Sequence, residues 1–367
     1  MIAAHLPIQR PRDARLLVVD PGGRIEHAPR SRFIDYLEPG DLVVANDAAT
    51  LPASLHGVHV PTGAVIEARL AARGSLDPSD LRAFSAVLFG AGDFRTRTED
   101  RPSPPAVAAG DRLSFGAGSL EATIDALLGH PRFVKLRFEG RAGTVWAGLA
   151  REGRPIQYAH VPAPLALPDV WTPVAATIAA FEPPSASFVL DWQSIAAMRA
   201  RGIRIATITL AAGISSTGDP ELDLRLPLDE PYRIGESAAS AIRRTRQQRG
   251  RIIAIGTTVV RALEHAAARD GIVHAGEYVA NQRLGPTSAL HVVDAVLSGT
   301  HEPDSSHYQL LRAFTSDRTL QQATLTLRAF GYRTHEFGDS VLVAKNGCVR
   351  SPAAFECTAR DADAPAA

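Results

Sequence analysis

The sequence predicts an α/β protein: a discontinuous α/β domain over residues 1–60 and 156–354, interrupted by an inserted small β-barrel domain over 61–155. Three observations carry this reading. Apolar strand-like runs alternate with turn and helix signals in residues 14–60, and again from about residue 190. Between them the chain breaks into short runs, VIEARLA, AVLFG, RLSFG, RFVKLRFEG and TVWAGLA, punctuated by Gly, Pro and Asp, as in a small barrel or sandwich. The 367 residues also suffice for about two domains.

In chain order, Arg15–Asp20 (RLLVVD) reads as a strand and Pro21-Gly22-Gly23 as a turn. Ser31–Leu37 reads as a short helix capped by its serine, and Asp41–Ala45 as a buried strand entered through Pro39-Gly40. Within the barrel segment, Glu99–Ala109 is a Pro-rich exposed loop. Then follow a helix over Asp191–Arg201, a strand over Ile203–Leu210, an Arg-rich helix over Gly235–Gln248, a strand over Arg251–Ile255 and a helix over Val259–Ala268. Ser305–Thr315 and Leu320–Phe330 read as helices, Ser340–Lys345 as a last strand, and 355–367 as a disordered tail.

Composition narrows the function classes. Net charge is zero, with 45% hydrophobic and 21% charged residues, so no global field favours a nucleic-acid partner, although a local basic face suffices for one. The two cysteines, Cys348 and Cys357, form neither a disulfide framework nor a zinc spacing; a reducing, cytoplasmic setting is expected. The N-terminal MIAAHLPIQRPRDARLL lacks the apolar core of a signal peptide, and no run is long enough for a membrane helix. Metal spacings, a phosphate-binding loop, a dinucleotide fingerprint and a serine-hydrolase elbow are all missing, so no metal is expected.

Five stretches can carry chemistry. In Ile255–Glu264 (IGTTVVRALE) a buried strand ends in Gly256 and a helix begins, with Thr257 or Thr258 as its cap. Its free N–H groups favour a carboxylate or phosphate, and Arg261 and Glu264 sit one turn apart. The ordinary alternative is a capped helix with a surface ion pair. Asn46 and Asp47 follow a strand end, where ligand crevices and simple turns both occur. In HEPDSS, His301 is a candidate general base and Ser305 or Ser306 a cap; Asp339 in FGDS is most simply a turn residue. Five arginines in Ile242–Arg251 either contact a nucleic-acid backbone or form a solvated face.

Taken together, the motifs resemble the S-adenosylmethionine:tRNA ribosyltransferase-isomerase family of queuosine biosynthesis. The residues that carry the resemblance are RPRDARLLVV from Arg10, PGDLVVAND from Pro39, TGAVIE from Thr62 and IGTTVVRALE from Ile255. VVDA from Val292 with His301, Pro303 and Ser305 follows, then Tyr332-Arg333 with Phe337-Gly338-Asp339. The resemblance implies an α/β domain with an inserted β-barrel. It also implies transfer and isomerisation of the ribosyl group of S-adenosylmethionine, a co-substrate, onto a 7-aminomethyl-7-deazaguanine base of tRNA. Such a site needs a general base, groups holding the methionine carboxylate and ribose hydroxyls, and exclusion of water. The resemblance places substrate-binding roles on Asn46, Thr257, Thr258, Arg261, Glu264, Ser305 and Asp339, and acid–base roles on His301 and Asp47.

The chain departs from the family pattern at polar positions. Ala48 and Ala49 stand for a threonine and an arginine, and Val189 and Ala211 for histidines; in RLPLDE only Glu230 is kept. These departures, with the zero net charge, keep two other readings open. One is a transferase or lyase acting on S-adenosylmethionine with a small-molecule acceptor; the other is a non-catalytic binding protein on the same scaffold. Oligomeric state is left open.

Overall fold

The computed structural model describes residues 1–303 and 305–346. A nine-stranded sheet runs in the order Gly276–Ala280, Glu230–Ile234, Arg204–Leu210, Leu42–Asn46, Ile252–Ile255, Ala295–Gly299, Ser340–Ala344, Arg15–Val19 and Ile25–Pro29. Its centre is parallel: Leu42–Asn46 pairs in parallel with both Arg204–Leu210 and Ile252–Ile255, and Ile252–Ile255 with Ala295–Gly299. The pairs 204–210/230–234 and 295–299/340–344 are antiparallel. Leu42 to Ala45 is apolar at every position because both faces of this strand are covered. Leu42 and Val44 join one core with Val259, Val260 and Leu263, while Val43 and Ala45 join the opposite core with Phe33, Ile195 and Met198.

Six strands between Ser54 and Phe138 close into a barrel. Its first strand, Ser54–His59, begins before the expected boundary at residue 61. TVWAGLA is not a strand: it lies in the helix Ala142–Glu152. Val145 and Leu149, one turn apart, are its buried face, and Gly148 lets Leu120 approach so closely that a Cβ there would sit 2.8 Å from Leu120 Cδ1.

Elsewhere the elements fall near their expected places with different ends. Residues 30–36 form a 3₁₀ helix after Pro29, with no serine cap. The helices at Asp317–Ala329 and Ser306–Leu311 are capped by Ser316 and Ser305. Strands Glu230–Ile234, Gly276–Ala280 and Ala295–Gly299 were not anticipated. The cysteines and the expected tail lie outside the described residues. No helix of the described residues is long and apolar enough to cross a membrane.

Candidate active site

The loops after strands Arg204–Leu210 and Ile252–Ile255 meet at the carboxyl ends of the parallel strands, where open α/β sheets place ligands. A cavity of about 310 Å³ opens there, lined by Glu182, Gly213, Glu230, Thr258, Arg261 and His307 among others. Thr257 also lines it. The cap of the helix Thr257–Ala267 is Gly256, not a threonine: its φ of 97° lies in the left-handed region, where a threonine is strained. No side chain caps this helix, which leaves first-turn amides for an anionic ligand.

Arg261, one turn into the helix, is buried. Its Nη1 donates to Glu230 Oε2 at 2.6 Å and to the Leu228 carbonyl at 2.8 Å, and its Nε to the Gln282 carbonyl at 2.9 Å. Its Nη2 has no partner. A buried unpartnered donor is costly, so a carboxylate or similar acceptor bound there recovers a charge-assisted hydrogen bond. Glu230 also accepts the Gly213 amide at 2.8 Å, fixing the loop after Leu210 against the cavity. Burial raises the Glu230 carboxyl against the pull of Arg261.

The lining also includes Glu182, a buried carboxyl in the apolar setting of AAFEPP. Tyr158 Oη donates to it, and also lies 3.2 Å from the Ser216 carbonyl oxygen. Desolvation pushes Glu182 up to about 7, helped by the charge of Glu336 and opposed by hydrogen bonds from Ser215 and Tyr158. A carboxyl in that range exchanges a proton near neutral pH. His307 lines the same cavity, with His301 stacked behind it at 4.2 Å between ring centroids. Burial holds His307 down at about 4 and His301 well below its ordinary value, so both are neutral at pH 7.

Of the residues expected from sequence, Thr257, Thr258 and Arg261 meet at this cavity. The others serve elsewhere. Glu264 accepts the amides of His291, Val292 and Val293 at 2.6, 3.0 and 2.8 Å. Asn46 holds both the amide and the carbonyl of Leu210. Asp47 accepts the hydroxyls of Thr207 and Thr209 at 2.8 and 2.6 Å. Ser305 caps its helix by accepting the Tyr308 amide. Asp339 accepts the amides of Arg15 and Arg333 and pairs with both guanidinium groups. These side chains are engaged by the protein itself, and none of them lines the cavity.

Glu182, Tyr158 and His307 were missed. The signal for Glu182 was available: a carboxylate inside an apolar run is rarely buried without a partner or a task. His307 went unnoticed beside His301, because their ring stacking is not visible in the sequence. At the departures, Ala211 is buried, and Ala212 and Gly213 form smooth wall. In the Arg-rich run, Arg243, Arg246 and Arg251 pair with Glu236, Asp294 and Asp41.

A family model described as a queuosine biosynthesis protein matches residues 1–343. A protein of Anaeromyxobacter sp. (strain K) named S-adenosylmethionine:tRNA ribosyltransferase-isomerase is 32% identical over 362 residues, covering 94% of this chain and 96% of that protein. Proteins of the same name from Moorella thermoacetica and Sorangium cellulosum are 30% and 33% identical over 360 and 377 residues. They cover 93% and 94% of this chain, and 95% of each relative. A crystal structure of S-adenosylmethionine tRNA ribosyltransferase from Thermotoga maritima is 25% identical, covers 93% of this chain and 96% of its own, and superposes with a TM-score of 0.48.

Proposed function

This chain belongs to the queuosine biosynthesis protein family, and on that premise we propose that it is an S-adenosylmethionine:tRNA ribosyltransferase-isomerase whose reaction takes place in the cavity between Arg261 and Glu182. The acceptor is a 7-aminomethyl-7-deazaguanine base of tRNA. Full-length relatives that share one name favour this reading over a small-molecule acceptor or a non-catalytic scaffold.

The observation that carries the site assignment is one cavity lined by both a buried carboxyl near neutral pKa and a buried guanidinium with a free donor. The methionine carboxylate of the substrate sits at the first turn of the helix Thr257–Ala267, held by its amides and by Arg261 Nη2. The sulfonium faces the carboxylates of the wall, which offset its charge. That charge acidifies the neighbouring C5′ hydrogens, and Glu182 removes one; Tyr158 orients the Glu182 carboxylate. Neutral His307 supplies a hydrogen bond without adding a second positive charge beside the sulfonium.

Isothermal calorimetry with S-adenosylmethionine tests the assignment. Arg261→Lys keeps the charge beside Glu230 but loses the planar fork, and is expected to weaken binding about tenfold or more. Glu182→Gln is expected to leave binding within a few-fold and to slow adenine release about a hundredfold or more. Unchanged affinity in Arg261→Lys together with full turnover in Glu182→Gln overturns the site.

A further inference from the structure

A second cavity, of about 500 Å³, shares Ser215 with the first and is lined also by Tyr158, Arg97, Thr98, His160, His335 and Glu336. The last three come from two distant places in the chain. His160 follows the barrel's covering helix Ala142–Glu152; His335 and Glu336 form the turn after the short strand Arg333–Thr334. One ligand-capable atom from each lies within 4.8 Å of the other two. His160 Nε2 sits 2.9 Å from Glu336 Oε2, and the His160 and His335 rings stack at 4.2 Å, 19° from parallel.

We propose that His160, His335 and Glu336 form a binding site for one divalent first-row transition cation, with zinc-like ligand preference, whose remaining coordination positions open onto this second cavity. Two imidazoles and one carboxylate are a donor set suited to such a cation, and three protein ligands leave at least one position for water or a ligand oxygen. Bonds of about 2.0–2.2 Å at tetrahedral angles put donor atoms roughly 3.3–3.6 Å apart. The cation therefore replaces the proton shared between His160 and Glu336, which part slightly, and the His335 ring tilts out of its stack to complete the set.

Two features make that movement inexpensive. Among the described residues, no hydrogen bond is made by the His335 ring, and its side chain is exposed. Its backbone is held at φ 69°, a conformation in which non-glycine residues are uncommon and which recurs at ligand clamps. The His160 ring also lies nearly parallel to that of Tyr158, with 6.1 Å between centroids. No linear motif announces the site because 175 residues separate the two histidines.

The test uses the full chain, freed of metal by chelation and dialysis, titrated with Co²⁺ and with Zn²⁺ alone, by visible absorption and calorimetry. The expected result is one ion per chain, with visible Co²⁺ bands displaced by Zn²⁺. Binding should weaken at least about tenfold in His335→Ala and in Glu336→Gln, both variants keeping the wild-type circular dichroism. Absence of stoichiometric binding overturns the proposal, as does equal affinity in His335→Ala. His335 is exposed, so its replacement leaves the fold intact and keeps the result interpretable. The readout is metal binding itself, so it is independent of the ribosyl-transfer reading.

Discussion

At the scale of single residues, environment decides role more than identity does. Glu182, Glu230 and Glu264 are all buried carboxyls near one helix, yet their tasks differ. Glu264 accepts three consecutive backbone amides and Glu230 neutralises a guanidinium, while Glu182 lacks a cation and stays near neutral pKa. Glu264→Ala strands three amides and is expected to cost at least about 3 kcal/mol in urea unfolding, with unchanged S-adenosylmethionine affinity in the folded protein. A large loss of affinity with little loss of stability contradicts this structural role. Glu182→Gln is expected to lower turnover by about a hundredfold or more. The wild-type rate should rise with pH through about 7 as Glu182 loses its proton, and this limb should vanish in the variant. A limb that persists in Glu182→Gln assigns the base elsewhere.

At the scale of elements, the strand–Gly256–helix unit explains why the motif Ile255–Glu264 was legible and its chemistry only partly so. The apolar IIAI and the spacing of Val259, Val260 and Leu263 are local patterns, so strand and helix could be read directly. That Gly256 takes the cap position depends on a left-handed φ, which threonine-rich caps usually avoid. A Cβ at Gly256 meets Thr258 Oγ1 at 3.5 Å and Ala186 Cβ at 3.6 Å, ordinary contacts, so the penalty of Gly256→Ala is backbone strain alone. The expectation is a loss of about 1–2 kcal/mol and a weaker methionine-carboxylate site; equal stability to wild type by thermal melting would show the cap to be misassigned. TVWAGLA misled for the opposite reason: seven residues with a glycine among them are too few to separate strand from helix by period.

At the scale of the whole molecule, two buried carboxyls pull stability in opposite directions with pH. In the barrel, burial opposes the charge of Glu67, but the guanidinium groups of Arg69 and Arg101 outweigh it and hold the carboxyl down at about 2. A depressed carboxyl stabilises above its unfolded value of 4.5, and that contribution is lost as pH falls toward 2. Glu182, raised to about 7, works in reverse: its contribution is present below 4.5 and is lost as pH rises toward 7. Thermal melts should therefore fall steeply on acidification below 4.5, and Glu182→Gln should flatten the decline between 4.5 and 7. A Glu182→Gln profile parallel to wild type contradicts the raised carboxyl.

Much of this molecular plan was readable from the chain, because alternation of strands and helices and the change to short runs are local signals. The cavity was less readable. Arg261 and the threonines were found through one continuous motif, whereas Glu182, its hydrogen-bond donor Tyr158 and His307, in the first turn of the helix Ser306–Leu311, come from separate parts of the chain that only the fold brings together. Glu182 offers a carboxyl at the wall that no linear motif announces.

The most direct test incubates the protein with S-adenosylmethionine and tRNA carrying 7-aminomethyl-7-deazaguanine, and follows tRNA mass and free adenine together. The expected result is a tRNA mass gain of one rearranged ribosyl group per adenine released, dependent on tRNA and lost in Glu182→Gln. Adenine released equally without tRNA, or tRNA of unchanged mass, contradicts it.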